Sequence, residues 1–165
     1  ASIGAFIAGD PEVILYLRYN MRSQIFAKSL PMLLVAGALK RLELLKNQPE
    51  LKDNLWKIVE ALRKGLHDNG FSTGKSNSPV TPVVLNGTVG EAAALTKDLR
   101  ENYGIFCSVV IYPVVPKGMI ILRLIPTAVH TIEDVEETIT AFAAIKEKLT
   151  SGFYKNSELA ISFGE

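Results

Sequence analysis

The residue whose setting most clearly calls for chemistry is Arg123, which interrupts the apolar run Met119-Ile120-Ile121-Leu122-Arg123-Leu124-Ile125. A guanidinium stays protonated at any working pH and is costly to desolvate, so an arginine in an apolar strand needs an anion or a polar cleft to face. Two readings follow. Either the planar fork receives an anionic ligand, or the side chain lies on an edge strand and snorkels to water or pairs with a helix carboxylate. The other reactive side chains carry weaker signals. Cys107 is the single cysteine, and among Ile105, Phe106, Val109 and Val110 it reads as a core thiol rather than a nucleophile. His67 and His130 lie far apart without partners at metal-ligand spacing, which argues against zinc. His67 falls in the last turn of a predicted helix, where it complements the dipole, and His130 stands just before a helix cap, where a structural hydrogen bond is expected. Ser2 and Ser29 lack a nucleophile-elbow context, and no glycine pattern cradles nucleotide phosphates. Trp56 beside an apolar stripe reads as packing. None of these side chains marks a nucleophile, a nucleotide cradle or a metal site.

Composition narrows the partners. The 165 residues are 48% hydrophobic and 21% charged with a net charge of +1, the profile of a soluble globular domain. That balance gives no electrostatic case for nucleic acid or an anionic membrane. No apolar run reaches bilayer length and no signal segment opens the chain, so a reducing cytoplasm is the expected compartment. The opening Ala1–Gly9 is small and apolar, unlike a solvated terminus, which predicts further chain upstream.

The elements that must position Arg123 can be placed from punctuation and period. Asp10-Pro11-Glu12 starts a helix that stops near Asn20 to Arg22, residues 22–30 read as a loop or short turn, and Pro31 opens a second helix. Leu33, Leu34, Ala36, Ala38, Leu39, Leu42 and Leu45 make most of its circumference apolar and predict burial between layers. Pro49 opens a third helix with a stripe of Leu51, Leu55, Ile58, Val59, Leu62 and Leu66, ended by Gly70. Val80 to Leu85 reads as a strand. Thr88 with Glu91 and Thr131 with Asp134 form capping boxes for two further helices, and Ile105 to Tyr112 and Met119 to Ile125 are strands. The order predicts an α+β two-layer domain, a small and largely antiparallel sheet with helices on one face. The expected divisions are residues 1–30 as a boundary segment, 31–152 as the α+β domain and 153–165 as a tail.

Several segments resemble a known family in order and spacing: Ala1-Ser2-Ile3-Gly4-Ala5-Phe6, Arg22 to Pro31, Tyr112-Pro113-Val114-Val115-Pro116-Lys117-Gly118, and Leu122-Arg123-Leu124 with Ala128-Val129-His130-Thr131. Together they resemble the C-terminal portion of the α-oxoamine synthases, pyridoxal-phosphate enzymes of fold type I that condense an amino acid with an acyl-CoA. The resemblance implies the small three-stranded C-terminal domain of that fold, a homodimeric parent and pyridoxal 5'-phosphate as cofactor. The Tyr112–Gly118 run looks most like the glycine C-acetyltransferase branch, which uses glycine and acetyl-CoA. Serine palmitoyltransferase and 8-amino-7-oxononanoate synthase are alternatives within the family, and a free-standing binding module is the alternative outside it.

By the same resemblance, Arg123 matches the arginine that binds the amino-acid carboxylate. The Schiff-base lysine of the family lies a few residues before the segment matching Ala1 to Phe6, so the chain by itself is expected to be inactive. Two departures stand out. Ala27 occupies a place where relatives commonly carry a serine that reaches the cofactor phosphate of the neighbouring subunit, leaving Lys28 or Ser29 to take over. Ala5 replaces a second glycine, which narrows the space near the cofactor.

Overall fold

Alternating burial along one central strand organises the larger part of the chain. The computed structural model describes residues 3–157, in the order α1 (Pro11–Asn20), α2 (Arg22–Phe26), α3 (Met32–Asn47), α4 (Pro49–Asp68), β1 (Thr81–Asn86), α5 (Val89–Tyr103), β2 (Ser108–Val110), β3 (Met119–Leu124) and α6 (Ile132–Thr150). The chain divides into two units, Ala1–Pro49 and Glu50–Glu165.

In the second unit the strands lie in the order β1-β3-β2, with both pairs antiparallel. Successive strand side chains point to opposite faces. On β3, Ile120, Leu122 and Leu124 are accordingly buried, whereas Met119, Ile121 and Arg123 are not. The buried set joins Ile58, Leu62 and Leu66 of α4, Leu95 and Leu99 of α5, and Phe142 and Ile145 of α6 in one core. Three helices thus cover one face of an antiparallel sheet, the expected α+β two-layer architecture. Each fully buried side chain of this size contributes about 1.5–3 kcal/mol. Phe71 and Phe142 meet edge to face at 5.4 Å within this core.

Both capping boxes form. The Thr88 N–H donates to Glu91 Oε2 at 2.7 Å and the Glu91 N–H to Thr88 Oγ1 at 3.2 Å. Thr131 and Asp134 repeat the exchange at 2.8 and 3.3 Å. Gly104, at φ 68°, ends α5 in the left-handed conformation that a Cβ disfavours.

Three expectations need correction. Residues 22–26, read as a loop or short turn, form the short helix α2. The strand expected from Ile105 to Tyr112 is reduced to Ser108–Val110. This strand lies at an edge with β3 on one side only, and Phe106 just before it is 81% exposed. Finally, α3 buries none of its residues, and Met32, Leu33, Leu39, Leu42 and Leu45 are exposed. An apolar pattern marks the face that favours cover but does not supply the covering surface. The aperiodic stretch after α6 also contributes to the core, because Tyr154 is 2% exposed. Residues 158–165 of that stretch lie outside the described residues, as does Ser2.

Candidate functional site

The register of the sheet assembles the surroundings of Arg123. Across β3–β2 it faces Ser108, and across β1–β3 it faces Pro82. Directly opposed residues of an antiparallel pair share a face, with Cβ atoms about 4.5–5.5 Å apart. The row Pro82–Arg123–Ser108 therefore crosses the sheet on the face away from the helices, and the half-buried row Val84–Ile121–Val110 runs beside it. Arg123 is exposed, and its Nε–H donates to Ser108 Oγ at 3.0 Å. Among the described residues this is the only hydrogen bond of its side chain, and no carboxylate forms an ion pair with it. Of the snorkelling alternative, the edge strand and the helix carboxylate are not what the structure has, since β3 is the central strand and the partner of the arginine is a neutral hydroxyl, whereas the exposed side chain does reach water.

Arg63 on α4 provides the contrast. Its Nε–H donates to Thr81 Oγ1 at 3.3 Å and its Nη2 to the carbonyls of Ser78 and Val80. That guanidinium is spent on tying α4 to the start of β1. The Nη atoms of Arg123 have no such acceptors among the described residues and remain free to bind an anion through two parallel N–H donors.

The remaining candidates behave as packing or capping groups. Cys107 packs against the core, and burial pushes its thiol up to about 11, which leaves almost no thiolate at neutral pH. The Thr127 N–H donates to His130 Nδ1 at 2.9 Å, the structural hydrogen bond expected before the α6 cap. His67 is exposed in the last turn of α4, and Trp56 is half-buried. Sequence reasoning missed the cluster around Asp98. Its carboxylate accepts from Lys148 Nζ at 2.7 Å, from Tyr154 Oη at 2.6 Å and from Asn102 Nδ2 at 2.6 Å. Burial works against the charge, but these hydrogen bonds outweigh it and hold the carboxyl below the usual range.

In the first unit, Lys28 and Ser29 are both exposed and make no hydrogen bond or ion pair among the described residues. Ala5 and Ala27, noted separately in the sequence, line the same cleft of about 440 Å³. Ser23 and Gln24 of the Arg22 to Pro31 segment line it too, with Arg18, a cation that no motif had singled out.

A search for relatives bears on this arrangement. The family model for aminotransferase class I and II matches residues 1–142. The chain belongs to that family. Over its whole length it is 56% identical to a cysteate-C-fatty acyltransferase of Capnocytophaga ochracea, covering 40% of that protein. Over 89% of its length it is 36% identical to an 8-amino-7-oxononanoate synthase of Symbiobacterium thermophilum, covering 37% of that protein. The chain thus spans about two fifths of the length of these curated relatives. A solved serine palmitoyltransferase structure containing PLP superposes with a TM-score of 0.74 at 26% identity, over 88% of this chain and 36% of that one. The resemblance to the α-oxoamine synthases is borne out, and the fold is that of the fold-type I C-terminal domain. Pyridoxal phosphate is the cofactor these relationships indicate. No helix among the described residues is long and apolar enough to cross a membrane.

Proposed function

We propose that this chain is the C-terminal part of a cytoplasmic, homodimeric, pyridoxal-phosphate-dependent acyltransferase that joins a fatty acyl group from acyl-CoA to cysteate. The observation that carries the site is the pairing of Arg123 with a neutral hydroxyl only, so that its charge is left for a ligand anion. A carboxylate offers two coplanar acceptors, which the paired Nη donors of a guanidinium match. In this role Arg123 holds the amino-acid carboxylate and fixes the orientation of the bonds at Cα. The choice of cysteate and a fatty acyl donor is supported by the 56% identity to a cysteate-C-fatty acyltransferase over the whole chain.

The donors on this chain fit an anionic cofactor in part. Lys28 and Ser29 place an ammonium and a hydroxyl next to one another on an exposed surface, a set suited to a phosphate. We assign them to the cofactor phosphate of the neighbouring subunit, in place of the hydroxyl that Ala27 lacks. When bound, pyridoxal phosphate supplies the electron sink for the carbanion formed at the amino acid. The chain by itself is proposed to be inactive.

A second reading, glycine with acetyl-CoA, is favoured by the run Tyr112 to Gly118. Release of free CoA by the longer enzyme carrying this chain separates the two. Cysteate with palmitoyl-CoA is expected to turn over faster than glycine with acetyl-CoA or serine with palmitoyl-CoA, and the reverse order refutes the cysteate assignment. Arg123→Lys keeps the charge and loses the fork. It should raise the KM for the amino acid about tenfold to a hundredfold with the KM for acyl-CoA unchanged. An unaltered amino-acid KM removes Arg123 from the site.

A further inference from the structure

We propose that Ser108 is the positioning residue for Arg123, fixing which edge of the guanidinium meets the substrate anion; the inference rests on the carboxylate-binding role given to Arg123 above. A guanidinium can meet an anion side-on, through Nε and one Nη, or end-on, through both Nη atoms. Here the Nε–H is engaged by Ser108 Oγ at 3.0 Å, so the side-on edge is occupied and the end-on edge is presented. The contact is built into the sheet, because Ser108 and Arg123 are directly opposed in the β2–β3 register.

The chemical type of the partner matters as much as its place. An aspartate or glutamate at position 108 would also orient the guanidinium, but it would take up the two-pronged contact and neutralise the charge intended for the ligand. A serine hydroxyl accepts one hydrogen bond and leaves the positive charge uncompensated. The neighbouring Pro82 has no polar side-chain group to compete for Arg123 from the other side. Ser108 thus orients the cation without neutralising it.

The orientation role predicts coupling between the two residues. Binding of the amino acid to the longer, cofactor-loaded enzyme is measured by calorimetry without acyl-CoA, and KM values are measured alongside. Ser108→Ala should weaken amino-acid binding roughly threefold to tenfold, the loss of one orienting hydrogen bond, with the KM for acyl-CoA unmoved. Ser108→Thr, which restores the hydroxyl on a residue suited to a strand, should recover binding. Ser108→Asp, which captures the guanidinium, should weaken binding at least as much as Arg123→Lys. In an Arg123→Lys background, Ser108→Ala should have no further effect, since there is no Nε–H left to orient.

If Arg123→Lys weakens binding while Ser108→Ala does not, or if the two effects simply add, the positioning role of Ser108 is refuted and the Arg123 assignment stands. If Arg123→Lys itself leaves binding unchanged, the carboxylate-binding role fails, and this inference fails with it.

Discussion

Replacing Tyr154 with phenylalanine tests how the stretch after α6 is held to the domain. The ring is 2% exposed, and its hydroxyl donates to Asp98 Oδ2 at 2.6 Å. Phenylalanine keeps the buried ring and deletes that donor alone. A hydrogen bond to a charged group contributes about 1.5–3 kcal/mol. Asp98 still keeps Lys148 at 2.7 Å and Asn102 at 2.6 Å, so the loss belongs at the lower end of that range. For a domain of this size about 1.5 kcal/mol corresponds to a fall in Tm of roughly 3–6 °C. The effect should depend on pH in a defined sense. Burial pushes the Asp98 pKa up, but the hydrogen bonds from Lys148, Tyr154 and Asn102 prevail and lower it. A folded-state pKa below the unfolded one means that the stabilisation is present above the unfolded pKa, about 4, and is lost as pH falls through the folded value. Thermal unfolding of both proteins at neutral pH and again near pH 3 measures this. An unchanged Tm at neutral pH, or an equal Tm difference at both pH values, refutes the assignment of the stabilisation to the ionised Asp98.

A methyl group at Gly65 would lie 1.9 Å from Ile139 Cδ1 and 2.5 Å from its Cγ1. Overpacking of about 1–3 kcal/mol should therefore outweigh the gain of about 1 kcal/mol in helix propensity, so that Gly65→Ala destabilises in urea unfolding. Once Ile139→Ala has cleared the space, the same substitution should stabilise, and destabilisation in that background too would contradict the packing account. Burial lifts the Cys107 thiol to about 11, so alkylation by iodoacetamide at pH 7.5 should be slow in the native protein and become fast in urea. Equal rates in the two conditions would count against a packed thiol.

The sequence by itself determined the features that depend on near neighbours. The stripe of α4, the capping boxes at Thr88 and Thr131, and the alternation that turns Arg123 away from Leu122 and Leu124 all rest on residues a few positions apart. Periodicity and hydrogen bonding within a turn fix such features before any distant contact forms. The family segments were legible for the same reason, as short strings with fixed spacing. What the tertiary structure decided were the partners. The period of a strand says which residues share a face, but not that β3 is central or that Ser108, fifteen positions before Arg123, stands opposite it. The apolar run marked Arg123, but no local signal showed that Arg63 would bond carbonyls and a threonine while the Arg123 side chain meets only a neutral hydroxyl among the described residues. Nor did any join Asp98 to Tyr154 across 56 positions. Pairing at that range is settled by how whole elements pack, because a side chain of given pattern accepts any partner that the assembled core brings within reach.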